Sequence, residues 1–260
     1  MYRHITLAAA LVAALPLGAQ AALRQVTVTV ENLAAANGVT FAPLHLGFHA
    51  GTFDAFNLGE AAGDAIISVA EGGSGSAWFP AFEAADPGAT LGTVLPNPAG
   101  PLLPGASGQA TFVVDTALNP YFTFAAMVVP SNDFFIGNDN PLAYRLFDTA
   151  GNLQITSIDQ LARNVWDAGS EVFDPAAAAF VGDNDLRADQ NSVVAFNFGE
   201  LAAFDGLPTA AGYVFTSGLA ADDAIYRISF STTPVPIPAA LPLLIGGVGV
   251  LGACRRRLAS

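Results

Sequence analysis

The chain has 260 residues, 52% of them hydrophobic and only 12% charged, with a formal net charge of −13. That balance excludes a disordered chain, and a field of that sign repels nucleic acid and anionic lipid. The one cysteine, Cys254, lies near the C-terminus, so the body has no disulfide, no thiolate nucleophile and no cysteine metal site.

In chain order, Met1 to Ala21 reads as a secretory signal peptide. Arg3 gives the positive start, Ile5 to Leu17 a short apolar core, and Ala19-Gln20-Ala21 the small-x-small cleavage pattern. Period-two alternation then dominates. Val26, Val28 and Val30 share one face of a strand over Gln25 to Glu31, with Thr27 and Thr29 on the other. Leu44, Leu46 and Phe48 alternate with His45, Gly47 and His49. One short helix is expected at Ala61 to Glu71, stopped by Gly72-Gly73. Pro87 to Gly108 reads as a long loop.

Ala110, Phe112 and Val114 mark the next strand, and Tyr121 to Val129, apolar on both faces, a central one. Ala143 to Phe147 and Leu153 to Thr156 flank Asp148-Thr149-Ala150-Gly151-Asn152 as a hairpin. Val193 to Phe198 and Ile225 to Phe230 complete the strands, and Ala202 to Gly212 is a further loop. The pattern predicts an all-β fold, an antiparallel β-sandwich with one short helix, over residues 22–233.

Residues 234–260 form a separate C-terminal segment. A proline-rich opening, Pro234-Val235-Pro236-Ile237-Pro238-Ala239-Ala240-Leu241-Pro242, precedes an apolar stretch to Ala253 and the cluster Arg255-Arg256-Arg257. This reads as a C-terminal hydrophobic helix near the lower length limit for spanning a membrane, with the arginines on the cytoplasmic side. The segment resembles the PEP-CTERM class of sorting tails, closest to the variant named for Val-Pro-Leu-Pro-Ala, with Ile237 in place of its leucine. That resemblance implies processing by an exosortase-type enzyme and delivery to the cell surface. An ordinary C-terminal anchor is the alternative, and both put the body outside the membrane. Without the two ends, five arginines face 22 carboxylates, a formal charge of −17 for the body.

Catalytic patterns are sparse. His45 and His49, four residues apart on one strand, lie about 13 Å apart; they read as solvent-facing or edge histidines rather than joint ligands of one ion. Gly72-Gly73-Ser74-Gly75-Ser76 is neither a nucleophile elbow nor a phosphate loop. Asp183 to Asp189 lacks the sixth-position glycine and the closing glutamate of an EF-hand. Three acidic loops remain: Ser131-Asn132-Asp133, Val165-Trp166-Asp167-Ala168-Gly169-Ser170-Glu171, and Gly182-Asp183-Asn184-Asp185. Calcium takes six to eight hard oxygen ligands, and Gly169 lets Asp167 and Glu171 curl towards one point. By composition alone such loops are solvated surface.

The order of these segments resembles the spondin N-terminal domain in its bacterial form. The likeness runs from about residue 25 to 231, through Val28 to Leu33, Gly47 to Phe56, Met127 to Gly137 and Val165 to Glu171, the last being the most specific. It implies a C2-like sandwich that holds Ca2+ and serves extracellular-matrix adhesion in the animal members. Their ligand aspartates lie in Ser-Pro-Asp-Trp and Trp-Asp-Ala-Gly-Thr-Asp loops, which match Asp133, Asp167 and Glu171 here. Asn132 stands in place of the proline and Glu171 in place of the last aspartate, and the animal disulfides have no counterpart. Asp183 and Asp185 are weaker candidates, and Trp166 reads as a core aromatic that pins its loop.

The resulting expectation is an exported, non-enzymatic, calcium-binding surface module that associates with a surface polysaccharide or surface protein. A purely structural surface protein is the alternative. A secreted hydrolase using paired loop carboxylates is a more distant one.

Overall fold

A computed structural model describes residues 23–235. The stretch expected to be a signal peptide and nearly all of the C-terminal segment lie outside the described residues. The body is two antiparallel sheets, as the alternation requires. One sheet has four strands in the order β5-β1-β11-β8, comprising β1 (Leu23–Asn32), β5 (Ser107–Asp115), β8 (Ser157–Leu161) and β11 (Ala224–Pro234). The other contains β3 (Leu44–His49), β4 (Thr90–Val94), β6 (Tyr121–Val129), β7 (Phe134–Gly137), β9 (Trp166–Asp167) and β10 (Ala195–Phe196), in the order β10-β9-β7-β6-β3-β4, with β2 (Thr40–Phe41) paired beside β6. The register of β1 against β11 reaches Pro234, so the strand runs one residue past the boundary at 233. Among the described residues no helix is long and apolar enough to cross a membrane.

The main core fills the space between the sheets. Val26, Val28 and Val30 from β1 and Ile228 and Phe230 from β11 meet Leu46, Phe48, Phe122, Phe124 and Val128 of the second sheet. A second apolar cluster lies on the outer face of the larger sheet, where Ala125, Phe135 and Trp166 pack under Ile66, Val69, Trp78 and Phe82. β6 is therefore buried on both faces, which is why its sequence is apolar on both.

The outer cluster is covered by helices. α1 (Asp64–Gly72) buries Ile66, Val69 and Ala70, a helical i, i+3, i+4 stripe, and ends at Gly73. This is the helix expected at Ala61 to Glu71. A second helix, α2 (Trp78–Ala85), was not expected. Pro80 sits in its first turn, where the missing N–H has no intrahelical partner to lose, and Trp78 and Phe82, four apart, are its buried face.

Other departures are as informative. The Pro87 to Gly108 stretch is not all loop, because it contains β4. Gly92, which reads as a turn residue, is a strand residue beside the other sheet: a Cβ there would lie 2.3 Å from the Phe112 ring. The hairpin over Ala143 to Thr156 reduces to its turn, closed by Asp148 Oδ1 accepting from Ala150 N and Asn152 N, and a single bridge, Phe147 to Leu153. Strand β8 begins just after it, at Ser157, where none was expected. The strand expected over Val193 to Phe198 is only Ala195–Phe196.

The histidines correct the solvent-facing expectation outright. They point at α2 and are buried, His45 at 6% and His49 at 0% exposure, each edge-on to an α2 ring, Phe79 and Phe82 respectively. His49 Nδ1 accepts from Gly51 N at 2.9 Å, which places its proton on Nε2, facing Thr123 Oγ1. Burial lowers its pKa to about 4, against the smaller opposing pull of Asp86. The unfolded chain therefore takes up a proton below about pH 6.5 that the folded chain refuses until about pH 4. Through His49 alone, acidification across that window should cost on the order of 3 kcal/mol of stability. In His49→Gln that one contribution should be lost, so the change in stability between the two pH values should differ from wild type by about that amount, although the variant starts less stable at pH 7. Urea unfolding of both proteins at pH 4.5 and 7 is the check.

Candidate functional site

Two segments meet at one end of the larger sheet. The β6–β7 turn carries Ser131, Asn132 and Asp133, all buried, and each side chain has a different task. Ser131 Oγ accepts from Phe134 N at 3.0 Å and closes its own turn. Asn132 grips the chain at Asp174, accepting from its N–H at 3.1 Å and donating to its carbonyl at 3.3 Å. Asp133 reaches across to the β9 loop. Its Oδ2 accepts from Ser170 N at 2.7 Å, Ser170 Oγ at 3.1 Å and Glu171 N at 3.0 Å. Since all three donors go to Oδ2, the loop leaves Oδ1 unused.

The β9 loop is shaped by its own residues. Asp167 Oδ1 accepts from Gly169 N at 2.7 Å, and its Oδ2 accepts from Asn197 Nδ2 at 3.0 Å. Gly169 has φ +66°, and a Cβ there would lie 2.8 Å from the Val193 carbonyl oxygen, so backbone conformation and space both demand glycine. Trp166 is buried, donates from Nε1 to the Gly137 carbonyl at 3.1 Å and stacks on Phe196. It pins the loop from below, as expected of it.

Glu171 points towards the C-terminal end of α1. Its carboxylate faces Glu71 at the end of that helix. Arg187 lies between the two, with Nη1 3.4 Å from Glu171 and 3.6 Å from Glu71. Glu71 is the site residue that sequence reasoning missed. The available signal was a carboxylate in the last turn of a predicted helix, against the helix dipole, which implies a local reason to be there.

The cluster is electrostatically strained. Burial, and then the neighbouring Asp167 charge, push Asp133 up to about 6 despite the donors on Oδ2. Burial, and then Glu71, push Glu171 up to about 7, with Arg187 opposing. Asp133, Asp167 and Glu171 are thus brought into one neighbourhood from two segments. Asp183 and Asp185 are not part of it. Both are exposed, and Asp183 is spent accepting from Asp185 N at the start of a 3-10 turn, Asn184–Leu186.

As the side chains lie, no three His, Cys, Asp or Glu among the described residues stand in a ready metal-holding arrangement. The chemistry of the donors nevertheless suits a hard cation: all are carboxylates, two are buried, and both of those are held above their ordinary range by desolvation and then by like charge. Arg187 is the positive group beside Glu171 and Glu71. No protein-family model matches the chain, and no curated protein matches it.

The raised pKa values set the sign of a pH effect. Between about pH 4 and 7 the folded chain keeps protons on Asp133 and Glu171 that the unfolded chain has released, so these groups favour folding below about pH 4 and progressively oppose it as pH rises to 7. In chelator, Asp133→Asn should keep an oxygen for the Ser170 and Glu171 donors while removing the charge. It should be more stable than wild type at pH 7, by on the order of 1–3 kcal/mol, with no such gain at pH 4. Denaturant curves at both pH values give the comparison.

Proposed function

We propose that the chain is an exported, non-enzymatic surface module of the spondin N-terminal kind, with a C2-like body that takes calcium between its β6–β7 turn and β9 loop. Its role is adhesion or association with an extracellular matrix. The observation that carries this reading is the juxtaposition of buried Asp133 and Glu171, supplied by separate segments and held together against their mutual repulsion. Asp133, Asp167 and Glu171, joined by Glu71, would hold the ion. Calcium, when bound, supplies the positive charge that these oxygens otherwise take in part from Arg187. The chain's own contribution is the frame: Asn132 and Trp166 fix the two segments, and Gly169 gives the loop its turn. The sorting-tail resemblance of residues 234–260 supports delivery to the cell surface.

A second reading has its own support. Asp133 already ties the β9 loop to the β6–β7 turn through three hydrogen bonds, which would suffice for a purely structural surface protein without an ion. Titration separates the two readings. Calcium at a hundred times its Kd stabilises the folded chain by about 2.7 kcal/mol, and Tm should rise by about 5–10 °C. Asp133→Asn and Glu171→Gln should abolish the rise. An unchanged Tm across calcium and chelator would leave the structural reading standing and remove the metal one.

Arg187 gives an independent check. As a competitor for Glu171 and Glu71, its loss should favour the ion. Arg187→Gln is expected to tighten calcium binding about threefold, the scale of a half-exposed ion pair, as measured by titration calorimetry.

A further inference from the structure

Beside the carboxylate cluster, on the edge strand β10, lies a second feature. Phe135, Trp166 and Phe196 occupy one cross-strand row: Trp166 is the register partner of both Phe135 on β7 and Phe196 on β10. Their rings are near parallel, at 20° and 26°, with centroids 6.4 and 3.9 Å apart. Exposure climbs along the row from 0% to 6% to 49%. The last ring thus presents a free face while its back is held by a buried indole. Phe196 lines an open cleft of about 560 Å³ together with Arg163, Asn164, Asn197, Phe198 and Gly199.

We propose that this cleft binds a neutral hexose unit of a polysaccharide, stacked on Phe196. A pyranose ring offers a flat C–H face that suits a rigid aromatic surface, and hydroxyl groups around its rim that suit amides and a guanidinium. Charge selects against acidic glycans: the body carries −17, and Arg163, the basic group of the cleft, is already paired with Asp222. Asn197 links the two features, because its amide donates to Asp167. The assignment narrows the partner in the matrix-association reading and rests on that reading for its setting, but it does not require the ion.

The test uses the purified full-length chain with maltohexaose, cellohexaose, laminarihexaose and, as the acidic counterpart, hexagalacturonate. Fluorescence of Trp166 beneath Phe196 reports binding, read in Trp78→Phe to remove the other tryptophan. At least one neutral hexasaccharide should bind. Phe196→Ala should weaken it about tenfold or more and Phe196→Trp should retain it; should the alanine variant misfold, Asn164→Ala on the rim should weaken it about threefold. No neutral binding at millimolar concentration, a preference for hexagalacturonate, or affinity unchanged in Phe196→Ala would each overturn the assignment. Repeating the titration in chelator separates the two ideas. Sugar binding without any calcium response sinks only the metal site, and a calcium response without sugar binding sinks only the cleft.

Discussion

Burial of β6 on both faces is the constraint on which the rest of the molecule depends. A body without a disulfide must be held by packing, and one sheet-to-sheet core would leave the outer face of the larger sheet wet. The residues of β6 and its neighbours refuse that: Phe122, Phe124 and Val128 face the other sheet, whereas Ala125, with Phe135 and Trp166 beside it, faces outward and must be covered. α1 and α2 supply the cover. Their placement puts Glu71 at the site, His45 and His49 in the interior, and Trp166 beneath the β9 loop.

The same constraint creates the electrostatic tension at the end of the sheet. Where β6 turns into β7, the turn is buried rather than exposed, so Asp133 is dehydrated while it ties the β9 loop by hydrogen bonds. Glu171, also buried, sits beside Glu71 at the end of α1. Carboxylates in that position favour either a proton or a cation. Arg187 answers part of the demand from a segment that is itself exposed, which makes it a replaceable counter-charge rather than a fixed one.

Much of the sandwich was legible in the residues. Alternation in β1, β5 and β11 needs one wet face and one dry, and these strands have both. Where that premise failed, so did the reading. In β3 the histidines alternate with apolar residues as solvent-facing groups do, yet α2 lies over them. α2 itself was hidden by Pro80, a helix breaker everywhere except the first turn. β4 was hidden by Gly92, which marks close approach of the Phe112 ring rather than a turn. The three loop acids were visible as acids, but Glu71 was not visible as their neighbour, because it lies 62 residues before Asp133.

By itself the sequence determined the features that local pattern carries: alternating strands, the glycine that lets the β9 loop turn, the acidic character of the body, and the apolarity of β6. Only the tertiary structure decided which wet-looking faces are dry, which carboxylates share a neighbourhood, and which aromatic ring is left open at an edge. The physical reason is that burial and charge coupling depend on distance in space, and segments such as α1, the β6–β7 turn and β10 meet only once two sheets and a helical layer have packed.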